Sequence, residues 1–555
     1  MPAKATAPET IELEYSLAEL PSSQHRAGLA GLVLMIDWLQ RQRTPKDICE
    51  VTHIDERGAK IRLDQDGLKA LLDELYAATR EEQPRPQLLK NSRTKEVIPP
   101  LREEEIEVID EKGKTKKKTL YIYPIVVPKG ALLVENDPTA KGDKGDWVKL
   151  WRDMTWSILR GVPATRAPFD ARANKEETSD AMDVWQDLVK PATHTIDLPS
   201  TYYIGAQASN AENVPFKDRA RFQFLLHFWS YVAGIYIPAV INNEGGRDFV
   251  GYALAIPDVA DLKTFIEALP RVWQMRGVEM AGYRPRDAVI DIAAQGALDM
   301  LSKLREHLAA RVGTNALRFL VLGVDVIHVE KQGNNIRLRG QMRVDPDENI
   351  LSEYEKLRSV LWNPLFRRQR LLNLVNKREW YAGFDKLLAT LPHKELLAEK
   401  EVGFKYFSRD ARITFEEEFK NSPQEDSMTE ITETITDDAT PTLPPEISCE
   451  ALIYKIVGTY ISRKLKSKHD LEWSKASAND EKRKEYEERK AKIAREAFLA
   501  VRSRTGADFV DYFASTLCSV PQYMNEKHFQ MLTQALHNDT DKVRTLTMLA
   551  LSARG

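Results

Sequence analysis

The segment YYIGAQASNAENVPF, residues 202–216, sets Gln207, Ser209, Asn210 and Asn213 among alanines and a glycine. Amide side chains match the donor and acceptor pattern of base edges. Small neighbours let a backbone approach a duplex closely. The same residues also suit a loop whose Asn side chains cap its own turns, and the residues alone favour neither reading. A second cluster lies in LPSSQHRAGLAGL, residues 20–32, where Ser22, Ser23, Gln24, His25 and Arg26 stand at the start of a helix. Free amides and the positive end of the helix dipole suit a phosphate there. A capped core helix whose glycines permit close packing is the stronger reading on physics alone.

Catalytic patterns are missing. The sequence holds no Walker A loop, HExxH, GxSxG or paired CxxC. Cys49, Cys449 and Cys518 are far apart and match no metal spacing. The histidines are scattered; His227, in an aromatic stretch, reads as a core residue, and His393 reads as exposed. The expectation is a non-enzyme with no catalytic residue, no metal and no cofactor, although nuclease carboxylates need no local motif. No apolar run reaches a membrane span, the run GLAGLVLMIDWL lacks the cationic start and small-residue cleavage site of a signal peptide, and a reducing cytoplasm suits the cysteines.

These residues need elements to hold them. IELEY reads as a strand, and a helix of about 20 residues follows Ser22 or Ser23. Residues 48–82 read as a strand pair and a helix, DGLKALLDELYAATREE. IEVID and TLYIYPIVV form a hairpin around the basic EKGKTKKK, and the loop TAKGDKGDW leads into a helix with Trp147, Leu150, Trp151, Met154 and Ile158 on one stripe. RFQFLLHFWSYVAGIY reads as one apolar helix. AVINNEGGRDFVGYALAIPDV reads as a hairpin, and so does LRFLVLGVDVIHVEKQGNNIRLRGQMRV, turning at 332–335. Residues 350–420 and 455–555 read as helical. The fold class is α+β: a large mixed N-terminal body, 1–420, a linker, 421–450, and an all-α C-terminal bundle, 451–555.

The chain has 80 Lys and Arg against 83 Asp and Glu, a net charge of −3, which by itself argues against a nucleic-acid binder. The balance is segregated. Residues 421–454 carry eight acids and no Lys or Arg, whereas 455–555 carry 19 cations against 13 acids. In EKRKEYEERKAK the Lys and Glu pairs suit a solvated face. RKLKSK, with few acids nearby, suits phosphate contact.

LPSSQHRAGLAGL, IGAQASNAENVPF with the following Lys217–Arg219, and FVGYALAIPDVADLKTFIE together resemble the Myxan-type CRISPR large subunit, the large subunit of a type I-B Cascade. The resemblance covers about residues 20–345 and reaches the helical end by architecture only. It implies a non-catalytic subunit on the crRNA 5′-end side. That subunit would read the protospacer-adjacent motif, help open the duplex, hold the displaced strand, and dock a helicase-nuclease.

On this resemblance, Gln207, Ser209, Asn210, Asn213, Asn334 and Asn335 would read the motif. Lys112, Lys114, Lys116, Lys117, Lys118, Lys141, Lys144, Arg463, Lys464, Lys466 and Lys468 would grip the DNA backbone, and Gln24, His25 and Arg26 would touch crRNA or a neighbouring subunit. The implied partners are crRNA, target double-stranded DNA, the Cascade backbone and crRNA-end subunits, and a helicase-nuclease, or transposition proteins in a transposon-borne system. Separately made small-subunit copies, started at Met428, are implied as well. A stand-alone nuclease or other nucleic-acid-modifying enzyme, and a protein-only scaffold, are the alternatives.

Overall fold

The computed structural model describes residues 9–42, 48–90, 94–109, 115–159, 166–176, 180–198, 214–309, 317–333, 335–391, 403–421, 447–477, 479–519 and 524–554. The chain divides into two compact units, Met1–Pro238 with Val250–Pro346, and Ala239–Phe249 with Asp347–Gly555.

In the first unit the strand Thr10–Ser16 alternates, with Ile11, Leu13 and Tyr15 inside. It pairs antiparallel with Gly58–Asp64, which also pairs with Cys49–Ile54. The helix Ser23–Gln42 follows. No charge falls between Arg26 and Asp37, and the helix is buried continuously from Ala27 to Ile36.

Its two glycines explain the largest departure from expectation. A Cβ on Gly28 would stand 2.3 Å from the Leu225 carbonyl oxygen, and one on Gly31 2.5 Å from that of Phe228. The apolar stretch after Arg221 therefore meets this helix backbone to backbone. It forms two short helices, Ala220–Leu225 and Trp229–Val232, instead of one. The following residues, GIYIPAVI, are mostly β-branched or aromatic, and they enter a strand, Gly234–Ile241.

That strand belongs to the central sheet. Tyr252–Val259, Val321–Gln332 and Asn335–Val344 follow it in antiparallel order, and Val289–Ile290 lies parallel on its other side. Ser23–Gln42 and Gln295–Ala309 pack on Tyr252–Val259, and Leu262–Gln274 packs on both helices. A smaller sheet has the order Ala78–Arg85, Thr115–Pro128, Arg102–Ile109. Here too the structure differs from expectation. The helix after Asp64, which caps it by accepting from the Gly67 amide at 2.6 Å, ends at Leu75. The residues TREE then join the edge strand Ala78–Arg85. An edge position tolerates Pro84, and Arg102 from the far strand reaches Glu82 across the face.

The second unit is built around the helix Thr540–Arg554, buried at every position from Val543 to Ala553. Phe407–Asn421, Cys449–His469, Asp480–Arg502 and Glu526–Asn538 surround it. Its polar residues satisfy themselves: the hydroxyls of Thr545, Thr547 and Ser552 donate to carbonyls one turn back at 2.7, 2.7 and 2.9 Å. Arg554 lies 4.0 Å from the Tyr454 ring centre, and Tyr454 stacks on Phe415 at 4.7 Å.

Through Phe415 and its neighbours the helices of 347–421 pack with those of 447–554. The division of the chain thus falls at Pro346/Asp347, while the composition changes near 421. Residues 422–446, which hold most of the acidic stretch and Met428, lie outside the described residues. Among the described residues no helix is long and apolar enough to cross a membrane.

Candidate nucleic-acid interface

Lys141 and Lys144 sit on a constructed turn. Their backbones exchange hydrogen bonds, Lys141 N to Lys144 O at 2.7 Å and Lys144 N to Lys141 O at 3.3 Å, with Gly142 at φ +59°. Buried Asp137 braces the loop from below. One carboxylate oxygen accepts from Thr139 N and Oγ1 at 2.8 and 2.6 Å, and the other from Val148 N at 3.0 Å. A Cβ on Gly145 would stand 2.2 Å from that second oxygen. Arg152 donates to the carbonyls of Lys129 and Asp143 at 2.6 and 3.0 Å. Both lysines are exposed, so the turn holds two cations out on a fixed base.

The helix Asp146–Ser157 starts beside this turn and carries a feature that the sequence reading missed. Tyr283, 63% exposed, tips a two-residue turn between Met280–Ala281 and Arg284–Pro285. The Lys149 ammonium lies 5.5 Å and the Arg284 guanidinium 4.5 Å from its ring centre. Burial pushes the carboxyl of Asp153 up, against the pull of Lys149, Arg284 and Arg152. The signal was present in Gly282-Tyr283-Arg284-Pro285, a turn sequence with an aromatic at its tip.

The basic hairpin is less basic than its tip suggests. Residues 102–118 carry six cations and six acids. Lys117 pairs with Glu105 at 3.1 Å across the strands, and it stands opposite Glu107 in register. Lys117 and Lys118 are exposed. Lys112 and Lys114 lie outside the described residues, and Lys116 is described in backbone only.

Gln24 and His25, expected to touch crRNA or a neighbouring subunit, are buried within this chain, and Arg26 is half-buried. Gln24 is 4% and His25 2% exposed. His25 Nδ1 meets Ser22 Oγ at 2.8 Å and Nε2 meets Asp218 Oδ2 at 3.2 Å. Arg26 donates to Leu17 O at 3.1 Å and to Asp258 Oδ1 at 2.7 Å, and Arg343 joins Asp258 from the sheet at 2.9 Å. These groups tie elements of the fold together.

Gln207, Ser209, Asn210 and Asn213 lie outside the described residues, as does Asn334. Asn335 opens an exposed edge strand opposite Gln332. That edge is guarded by arginines: Arg339 pairs with Glu330, and Arg343 also pairs with Asp345 at 3.0 Å.

In the second unit Arg463, Lys464, Lys466 and Lys468 ride the last two turns of Cys449–His469. Lys466 pairs with Glu472, which Lys475 also reaches at 3.1 Å, and Lys464 lies 5.7 Å from the Tyr460 ring centre. Along Asp480–Arg502, pairs such as Arg489–Glu485 at 3.8 Å and Lys490–Glu487 at 3.1 Å make the solvated face that EKRKEYEERKAK suggested. Among the described residues no cluster of three or more His, Cys, Asp or Glu is placed to hold a metal. Burial pushes the thiols up, to about 12 at Cys49 and about 11 at Cys449 and Cys518. His227 is a core residue, its Nδ1 2.6 Å from the Tyr76 hydroxyl. His393 lies outside the described residues.

Comparison with known families gives two matches in tandem. The Type I-B CRISPR Cas8b N-terminal domain matches residues 48–314, and the Type I-B CRISPR Cas8b C-terminal domain matches residues 321–554. No curated protein matches the chain.

Proposed function

Because this chain belongs to the type I-B CRISPR Cas8b family and is a large subunit of that system, we propose that it reads the protospacer-adjacent motif on duplex DNA for a crRNA-guided Cascade. In this reading it helps to open the duplex, holds the displaced strand, and offers the surface on which a helicase-nuclease docks. The observation that carries the proposal is the order and extent of the two family matches, which together span nearly the whole chain.

Protein reads a short motif and the DNA backbone, while base pairing to the guide supplies the remaining specificity. Gln207, Ser209, Asn210 and Asn213 are the amide and hydroxyl groups for the motif, with Asn334 and Asn335 secondary. Lys141 and Lys144, exposed on a braced turn, suit phosphates of the duplex, and Tyr283 with Lys149 and Arg284 extends that surface. RKLKSK supplies sequence-independent attraction. The chemistry of cleavage is assigned to the recruited partner. The partners are crRNA, target DNA, the other Cascade subunits, and small-subunit copies translated from Met428; the setting is the cytoplasm.

Co-expression with a repeat–spacer array and the backbone-subunit genes tests the reading. The chain should copurify in an RNA-containing complex. Asn210→Ala should weaken binding to targets with the correct adjacent motif and spare assembly on crRNA. Unchanged motif discrimination would remove the 207–213 loop from the role. Metal-dependent cleavage by the pure chain would favour a stand-alone enzyme.

A further inference from the structure

The second unit displays an aromatic pair that its core does not account for. Trp362 is 53% and Tyr406 45% exposed, and their rings meet edge to face at 5.2 Å and 87°. The Arg409 guanidinium stands 3.8 Å from the Trp362 ring centre. Aromatic surface exposed in this way gains nothing for the fold.

The support beneath it is rigid. Asn363 and Asp410 are both fully buried. Asp410 Oδ2 accepts from the amides of Trp362 and Asn363 at 2.7 and 2.6 Å, and Oδ1 accepts from Arg409 at 2.7 Å. The Asn363 amide donates to the carbonyls of Gly403 and Lys405 at 3.0 and 2.9 Å, and its oxygen accepts from Phe366 N at 2.8 Å. Arg409 also donates to Val360 O at 2.9 Å. Gly403 N in turn donates to Gly245 O at 3.0 Å, and a Cβ on Gly403 would stand 2.7 Å from that oxygen.

At the head of this arrangement Tyr406 holds φ +69°. A side chain with a Cβ disfavours that left-handed conformation. Such a residue persists only where its surroundings over-determine it, and such residues gather at functional sites. Asn363 and Asp410 supply that constraint, and they spend it on presenting a ring to solvent.

The charge around the rings selects a ligand. Residues 362–368 and 405–412 carry five cations, Arg367, Arg368, Lys405, Arg409 and Arg412, against one acid, Asp410, which is buried and paired. Lys405 and Arg412 are exposed. Arg412 also reaches Glu416 at 3.9 Å, one turn along its helix. Exposed rings beside exposed cations suit nucleobases with their phosphates, stacked on the ring faces and sequence-tolerant. A base inside a duplex offers only its edges, so the ligand is unpaired.

We propose that Trp362 and Tyr406 form a stacking platform for unpaired nucleobases, with Lys405 and Arg412 meeting the flanking phosphates. This rests on the proposed strand-holding role when the ligand in the cell is the displaced DNA strand. The isolated chain tests the platform apart from that role.

The test measures polarisation of a labelled thymidine homopolymer, and of a duplex of equal length, against the purified full chain. Trp362→Ala and Tyr406→Ala should each weaken single-strand binding about 5- to 100-fold and leave duplex binding unchanged. Trp362→Phe should keep most of the affinity while losing the part of the tryptophan quenching that the oligonucleotide causes in the unaltered chain. Tyr406→Gly, which relieves the left-handed backbone, should leave the unfolding midpoint unchanged or raised and still weaken binding; a purely structural tyrosine would lower the midpoint.

Unchanged single-strand affinity in folded variants overturns the platform, as does equal loss on single strand and duplex. Loss of a protein subunit from nuclease-treated complexes, with oligonucleotide binding intact, overturns it in favour of a protein-binding face. A chain that binds oligonucleotide through these rings but never enters the co-expressed complex removes the large-subunit role and leaves the platform standing.

Discussion

Each unit buries a polar knot, and the two knots do different work. In the first, His25 and Arg26 run to Asp218 and Asp258, and Arg343 joins from the sheet. Each end of that chain is another part of the unit's own fold. In the second, Asn363 and Asp410 are buried more completely, yet the residues they pin, Trp362 and Tyr406, stand in solvent. Buried charge and hydrogen bonding mark both regions equally. What separates a structural tie from a candidate site is what the tie holds up to the outside.

The largest effect should come from cutting the second knot. Asp410→Ala leaves two buried amides and Arg409 without their acceptor, and about 3–5 kcal/mol should disappear from denaturant unfolding. Loss under 1 kcal/mol would mean that the rings are not held by this carboxylate.

Acid should next act in opposite directions on one buried group of each unit. Burial pushes the His227 imidazole down to about 4 from an ordinary 6.5. The unfolded chain takes up that proton below about pH 6.5 while the folded chain refuses it, so stability falls between pH 6.5 and 4. At pH 4.5 the loss is about 3 kcal/mol. The Asp410 carboxyl is pushed up, by burial above all. The folded state takes its proton first, and this group adds stability as pH drops toward the usual carboxylate range. Urea melts of the unaltered chain and of His227→Phe should diverge on acidification, with the variant losing less.

A smaller loss, about 1–3 kcal/mol, is expected for His25→Ala, which strands Asp218 and Ser22. Nucleic-acid binding should not change. A binding defect without a stability defect would turn this knot back into a contact site. The smallest effect on stability, within about 0.5 kcal/mol, should follow Lys141→Ala with Lys144→Ala. In the assembled complex the same pair should lower the salt slope of duplex binding by about 1–2.

Local pattern made much of the fold legible. Alternation in IELEY gave the strand Thr10–Ser16, and the charge-free run after Arg26 gave the helix Ser23–Gln42. Gln332 and Asn335 face each other across the two longest strands of the central sheet, as the hairpin reading suggested. Pattern failed where a distant backbone decided the outcome. Leu225 and Phe228 break their helix against Gly28 and Gly31. Residues 78–85 leave a helical period because Tyr121–Pro128 offers them a ladder.

The candidate interface follows the same rule. Lys141 and Lys144 announce themselves inside a glycine loop. Trp362 and Tyr406 lie in two connectors more than forty residues apart, each just before a helix, and Asn363 and Asp410 bring them together. The inward turn of His25 and Arg26 depends on Asp218 and Asp258, far along the chain.

The buried helix Thr540–Arg554 also imposes an order on synthesis. Every helix that surrounds it precedes it in the chain. At roughly 10 residues per second, more than ten seconds separate the emergence of Phe415 from that of the arginine that will cover Tyr454. Through that interval several apolar faces have no filler, and a holding chaperone or a neighbouring nascent subunit has its opportunity. A stop between Asp347 and residue 540 would remove the piece around which the second unit's helices close, so late nonsense mutations should cost that unit as a whole.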